Sequence, residues 1–322
     1  MKVLIDVFGC DSPDLIIKGL ALAINKTENV TLVACGNKEY ILDKLKDEEF
    51  DRSRLEILDA KDVITNEDQP VVAIRSKMQS SMVVALNELK NNPEIPVMIS
   101  GGNTGALIAG AILIVGRETI QDRPTLITLL PNDKGGMTCL VDCGANVDCL
   151  PEHLVQFANY ANKYVSKVYN IASPKVALLS VGTEDSKGNA QTKEAFKLLK
   201  NSNLNFVGNV EARTVLSGDY DIVVADGFAG NVLLKSIEGT TKTVIGRLMK
   251  FISIRAKNTD IGFVKLALQD LMQTIDFNSF GGAIILGAKK PIIKAHGSAN
   301  SETVVSTVKQ AIQMVKSSYI NN

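Results

Sequence analysis

The chain has 322 residues, 45% of them apolar and 22% charged, an ordinary globular composition that argues against disorder. Lys and Arg together number 35, as do Asp and Glu, so no global field draws the protein to nucleic acid or to an acidic partner. The length allows one large α/β domain or two smaller ones, and no apolar stretch reaches the roughly 18–20 residues of a spanning helix; residues 106–115 come nearest.

In chain order, residues 1–7 (MKVLIDV) read as a strand, 8–13 as a loop and 14–25 as a helix with Pro13 near its start. Residues 30–35 form the next strand, Gly36 and Asn37 its turn, 38–46 a helix and 55–58 a short strand. This is the usual opening of a doubly wound sheet. The loop after the first strand has one usable glycine, Gly9, and the chain carries neither G-x-G-x-x-G there nor a Walker lysine motif. Nucleotide binding by either device is disfavoured. Helical spacing runs over 69–91.

Four apolar runs then end in small polar turns: 96–100 into SGGNTGA, 138–141 into DCGANVD, 176–181 into GTEDSKGN and 221–225 into DGFAGN. Such runs, each followed by a turn and a helical pattern, predict parallel strands with crossover helices. Residues 187–200 are a helix, 204–208 a strand and 231–250 a long amphipathic helix. Between 241 and 268, Lys242, Arg247, Lys250, Arg255, Lys257 and Lys265 face Asp260 alone, a local charge of six minus one. Interleaved apolar residues, Phe251 and Ile252 among them, make this a basic amphipathic hairpin, suited to an anionic membrane or an acidic protein. A plain solvated helix pair is the alternative.

Five cysteines, an odd number, and no signal peptide predict reduced thiols in the cytoplasm. Cys139, Cys143 and Cys149 lack a paired C-x2-C knuckle, so no metal is expected, and they read as small buried residues.

Loops after parallel strands are expected along one sheet edge, where ligands bind. Four glycine-rich loops gathered there can turn many backbone N–H groups toward one anion, which points to phosphate or acyl-phosphate chemistry. In SGGNTGA, Gly101, Gly102 and Gly105 allow close backbone approach, and Thr104 can cap the helix that follows. Lys187 in GTEDSKGN can hold phosphate or neutralise an oxyanion. Asn231 reads either as a helix N-cap or as an amide donor to a substrate carbonyl. Asp142, paired with Asn146 on one loop, and Asp226 read as acceptors for loop N–H groups or a lysine. His153 is read as structural, and His296 as the weaker active-site candidate. With no G-x-S-x-G elbow, the reaction is expected to need no protein nucleophile.

Taken together, DVFGCD at 6–11, KMQSSM at 77–82, SGGNTGALIAG, Arg123–Pro124, VDCGANVDC at 141–149, PEHL, GTEDSKGNA, VGNVE, DGFAGNVLLK and KAHGS resemble one family nearly end to end. It is the acyl-carrier-protein:phosphate acyltransferases of bacterial phospholipid synthesis, the PlsX family. The resemblance implies one α/β domain over 1–322, layered α/β/α around a large mostly parallel sheet. That fold is akin to phosphate acetyltransferases and isocitrate-type dehydrogenases, with 241–272 as a protruding helical segment. It implies transfer of a long-chain acyl group from acyl carrier protein to inorganic phosphate, without a cofactor. Lys187 and Asn231 fall on the family's proposed catalytic residues. Asp6, Gly101, Gly102, Asn103, Thr104, Gly105, Asp142, Asn146, Asn189, Asp226 and His296 are the expected phosphate or substrate contacts.

The family also implies a cytoplasmic homodimer held peripherally on the membrane, near the downstream glycerol-3-phosphate acyltransferase. Arg247, Lys250, Phe251, Ile252, Arg255 and Lys257 would meet the membrane or the carrier. Two departures stand out. Val7, Phe8 and Cys10 alter the usual D-A-M-G-G-D, with Cys10 in place of a glycine, which narrows that loop or costs backbone freedom. Met78 stands where a second lysine often follows Lys77. The alternatives are a phosphate acetyl- or butyryltransferase using coenzyme A, and a membrane-associated scaffold without catalysis.

Overall fold

In the computed structural model, residues 1–255, 262–274, 281–297 and 299–320 are described. The opening follows the sequence reading closely: β1 (Lys2–Asp6), α1 (Pro13–Lys26), β2 (Thr31–Gly36), α2 (Lys38–Leu45) and β3 (Leu55–Asp59). The strands are apolar because both faces are covered. Val3 and Ile5 of β1 point into the core under α1, while Leu4 joins the core on the opposite face. The helical spacing of 69–91 resolves into two helices, α3 (Pro70–Ser76) and α4 (Ser81–Asn91), because Ser80 caps the second.

The chain continues through β4 (Met98–Ser100) and α5 (Thr104–Gly110), which runs into a π-helical turn over Ala111–Val115. It then enters the hairpin of β5 (Thr125–Pro131) and β6 (Met137–Val141). After α6 (Pro151–Val168) come β7 (Lys175–Ser180), α7 (Ala190–Lys200), β8 (Asn205–Glu211) and β9 (Ile222–Val224). α8 (Gly227–Arg255) and α9 (Gly262–Thr274) precede a second hairpin, β10 (Ala283–Leu286) with β11 (Ile292–Lys294), and α10 (Ser301–Lys316) closes the order. The sequence reading does not place β5, β10, β11 or α10.

Among the described residues the strands form one sheet in the order β3-β2-β1-β4-β11-β10-β5-β6-β9-β7-β8. The sheet is mostly parallel, with antiparallel pairing at β11–β10, β10–β5 and β5–β6. Three reversals in a row leave the two parallel halves running in opposite directions. Ser100 pairs with Lys294 and Lys294 with Ala283; one residue along, Ile284 pairs with Ile127 and Ile127 with Val141. The carboxyl ends of β4 and β6 therefore finish almost level. Loops expected along one edge instead meet from opposite sides, over the antiparallel strands in the middle. Helices α1, α6, α7 and α10 cover one face, and α3, α4, α5 and the start of α8 the other. No helix among the described residues is long and apolar enough to cross a membrane.

Candidate active site

The glycine loop after β4 is fixed from behind. Asp6, the last residue of β1, lies level with Ser100. The Ser100 hydroxyl donates to Asp6 Oδ2 at 2.7 Å and accepts from the Gly102 N–H at 3.1 Å. Burial pushes the Asp6 carboxyl up to about 6, against the opposing pull of the Ser81 and Ser100 hydroxyls, the Phe8 N–H and the Lys294 charge. Asn103, rather than Thr104, caps α5: its Oδ1 accepts from the Ala106 N–H at 3.0 Å, and its amide donates to Thr65 O. Gly105 lies against Pro70 and lets α5 pack on α3. Cys10 keeps an ordinary negative φ, so its backbone does not need a glycine's conformational freedom, and Met78 is exposed.

Across the sheet, Asp142 is buried at the end of β6 and organises the loop after it. Its Oδ1 accepts from the N–H groups of Leu126, Gly144 and Ala145 at 3.0–3.1 Å. Its Oδ2 takes the Asn146 N–H at 2.8 Å and side-chain amide at 2.9 Å. Burial pushes this carboxyl up too, opposed by the Ala145, Leu126 and Gly144 N–H groups and the Asn146 side-chain amide. Asp226 caps α8 by accepting from the Ala229 N–H at 2.7 Å. The helix thus starts before Asn231, which is not its N-cap. Asn231 sits one turn in, beside Gly144, and its amide has no hydrogen-bond partner among the described residues.

Between the two loops lies a cleft of about 430 Å³. Gly101, Gly102 and Thr104 line one side, and Gly144 and Asn231 the other. Leu126 and Thr128 of β5 contribute between them, and His296 comes from the loop after β11. Burial and the nearby Lys235 charge hold the His296 imidazole below its ordinary value. Asp6, Asp142, Asn146 and Asp226 shape these loops without lining the cleft.

Lys187 does not line it either. It is exposed on the loop after β7, which leaves the sheet on the same side as the loops after β6 and β9. That loop is held by the Asn209 amide donating to Glu184 O, and Asn189 caps α7 through the Thr192 N–H. His153 accepts from the Leu150 N–H and so secures the start of α6, as read from sequence.

A family model described as "Fatty acid synthesis protein" matches residues 1–322. The phosphate acyltransferase of Clostridioides difficile (strain 630) is 43% identical over 325 residues, covering 100% of this chain and 95% of its own. The chain belongs to the phosphate acyltransferase family. The phosphate acyltransferase of Geobacillus thermodenitrificans (strain NG80-2) is 42% identical, covering 99% of this chain and 97% of its own. The protein is accordingly an acyltransferase enzyme.

Its fold is shared by a phosphotransacetylase from Streptococcus pyogenes, with a TM-score of 0.60 at 17% identity, covering 100% of this chain and 94% of that one. A branched-chain phosphotransacylase from Enterococcus faecalis V583 gives 0.58 at 15% identity, covering 98% and 99%. The layered α/β architecture expected from sequence is the one these structures have.

Five polar side chains line this acyltransferase's cleft without having been singled out from sequence: Asn66, Thr128, Lys235, Glu238 and Lys294. For Lys294 the signal was present, since it ends the apolar run PIIK immediately before AHGS. Lys235 and Glu238 form an ion pair on the exposed side of α8, at 2.8 Å.

Proposed function

We propose that the protein transfers a long-chain fatty acyl group from acyl carrier protein to inorganic phosphate, giving acyl phosphate for phospholipid synthesis. One observation carries this reading most: the Asn231 amide has no hydrogen-bond partner among the described residues and lines a cleft faced by the glycine loop of Gly101 and Gly102. Backbone N–H groups and α5's N-terminal dipole suit the anion, and the amide suits the thioester oxygen. A phosphate oxygen attacks the carbonyl carbon, negative charge gathers on the carbonyl oxygen, and the C–S bond breaks to release the pantetheine thiolate. Phosphate is already an anion and a thiol of pKa about 8.5 is a tolerable leaving group, so positioning and oxyanion stabilisation are what the protein must supply. Lys187, free in solvent on an adjacent loop, brings its ammonium to this charge from the rim.

The domain is taken as 1–322 in one piece, with 241–272 as the segment that docks. Past Glu238, α8 exposes apolar Phe251 and Ile254 beside basic Arg247 and Lys250, while Ile252 is half-buried. Lys257 and the side chain of Arg255 lie outside the described residues. This segment is assigned to an anionic membrane surface, with carrier protein and a second copy of the chain as further partners. The downstream glycerol-3-phosphate acyltransferase would draw product from the same surface.

The test is mass spectrometry of the product formed from palmitoyl carrier protein and phosphate. Acyl phosphate is expected, at a rate well above that with acetyl- or butyryl-coenzyme A. Faster turnover of the short coenzyme A esters would replace the carrier with coenzyme A, and absence of any phosphate-dependent product would leave a scaffold.

A further inference from the structure

We propose that Lys294 is the cation that this cleft presents to the phosphate anion. The inference rests on the reading of phosphate as acceptor and names the residue that binds it. Lys294 is the last residue of β11, level with Ser100, where the glycine loop begins. It lines the cleft together with Gly101, Gly102, Asn231 and His296. Its side chain is largely buried, yet it has no ion pair within 4.0 Å among the described residues. The ammonium donates to Gly101 O at 3.3 Å and to Ala295 O, which occupies two of its three N–H groups. One donor and a full positive charge remain.

Lys290, four residues earlier, shows what a structural lysine looks like in this fold. Its ammonium donates to Leu89 O, Asn92 O and Ile95 O at 2.7–2.8 Å, so all three donors are used in closing the end of α4. Lys294 has no such closure. A buried cation without a contact counter-ion is costly, and such charges concentrate where a ligand supplies the missing partner. The same hydrogen bond to Gly101 O draws the glycine loop toward the ammonium. Gly101, Gly102 and the ammonium thereby border the same cavity. Lys294 transfers no proton: it pairs with phosphate as the P–O oxygen forms its bond to carbon and the thiolate leaves.

The charged surroundings agree. Burial is the largest effect, lowering Lys294 to about 8; Asp11 in the loop after β1 and Asp6 of β1 favour the ammonium, and Lys235 of α8 opposes it. Glu238 and His296 also line the cleft, and His296 titrates below its ordinary value. Burial holds the Cys10 thiol above its ordinary value. In the free enzyme the charge that binds phosphate is therefore lost as pH rises through about 8.

The experiment measures inorganic phosphate binding by calorimetry, and the phosphate and acyl-donor KM values, for wild type, Lys294→Met and Lys294→Gln. Removing one partner of a buried charge pair should weaken phosphate binding by at least about 30-fold. The acyl-donor KM should move by less than about threefold, because the lost contact is to phosphate alone. Wild-type phosphate affinity should fall between about pH 8 and 9.5, where phosphate keeps a constant charge, and the variants should be flat there. Lys294→Gln keeps the carbonyl hydrogen bonds without charge, so it carries the test if Lys294→Met does not fold. Wild-type phosphate binding and turnover with equal affinity in the variants would overturn the proposal alone. No phosphate binding by wild type would overturn the underlying reading instead.

Discussion

Asp6 carries its charge inside the protein, hydrogen-bonded by a serine but desolvated. Its carboxyl sits at about 6 in the fold, against about 3.9 in an unfolded chain. The folded state thus binds this proton more tightly, and the stability it lends is complete below about pH 4 and lost as pH rises through 6. Relative to Asp6→Asn, which is neutral throughout, wild type should lose on the order of 3 kcal/mol between about pH 4 and pH 7. Urea midpoints of both proteins across that range check it, and a pH-independent difference would mean that Ser100, Ser81 and Lys294 offset the burial. Asn231→Ala should leave the unfolding temperature unchanged and lower turnover about 100- to 1000-fold, the usual loss of one oxyanion donor. Lys187→Ala should lose rate on a similar scale if its ammonium reaches the cleft during turnover; a wild-type rate removes it from the reaction. At this scale the glycine loop and Asn231 were legible as residues of turns between strand and helix, and both line the cleft. DGFAGN offers two capping side chains, and only packing decides that Asp226 takes the role and leaves Asn231 for the cleft. Lys294 was missed because a lysine ending an apolar run reads as a strand end reaching solvent, and burial is invisible to local pattern.

The start of α8 is an element whose placement depends on two close approaches. The Gly227 N–H donates to Asn146 O at 2.7 Å, and a Cβ on Gly227 would lie 2.6 Å from that same oxygen. A Cβ on Gly230 would overlap the Asp142 carbonyl oxygen. Backbone cannot yield as a flexible side chain can, so Gly230→Ala must push α8 off the loop that carries Asp142. The cost should be about 1–3 kcal/mol, with turnover reduced because Asn231 moves with the helix. Gly239, farther along the same helix, meets nothing within 4 Å, so Gly239→Ala should stabilise by roughly 0.5–1 kcal/mol through helix propensity alone. Denaturant unfolding of the two variants should show shifts of opposite sign; shifts of the same sign would mean that α8 is not pinned at this point. Apolar spacing made α1, α2, α7 and the long α8 readable, though not α10. The break between α3 and α4 was not readable, because the apolar period carries on through Lys77–Ser80 while the bridge between Asp62 and Ser80 turns the backbone there.

Over the whole molecule, strand direction is what local pattern does not encode. An apolar run reads the same whichever way its neighbour points, so the hairpins that reverse the sheet, β5–β6 and β10–β11, had no distinctive signature. Those reversals bring the two loop systems face to face, while α8 and α9 leave apolar side chains exposed. Phe251 is 61% exposed and Phe263 83% exposed, on segments that also carry Lys242, Arg247 and Lys250. Each ring withdrawn from water contributes about 1.5–3 kcal/mol, and each basic residue near an anionic surface about 1 kcal/mol. Phe251→Glu with Phe263→Glu removes both rings and adds two repelled charges. Sedimentation with anionic vesicles should therefore fall by on the order of 100-fold or more, while turnover of carrier-bound substrate in solution is kept. Raised salt should weaken wild-type attachment only in part, because the apolar share is not screened. Undiminished vesicle binding by the double variant would remove this face from the membrane. If that variant also sedimented at half the wild-type mass without vesicles, the two rings would instead belong to the contact between copies of the chain.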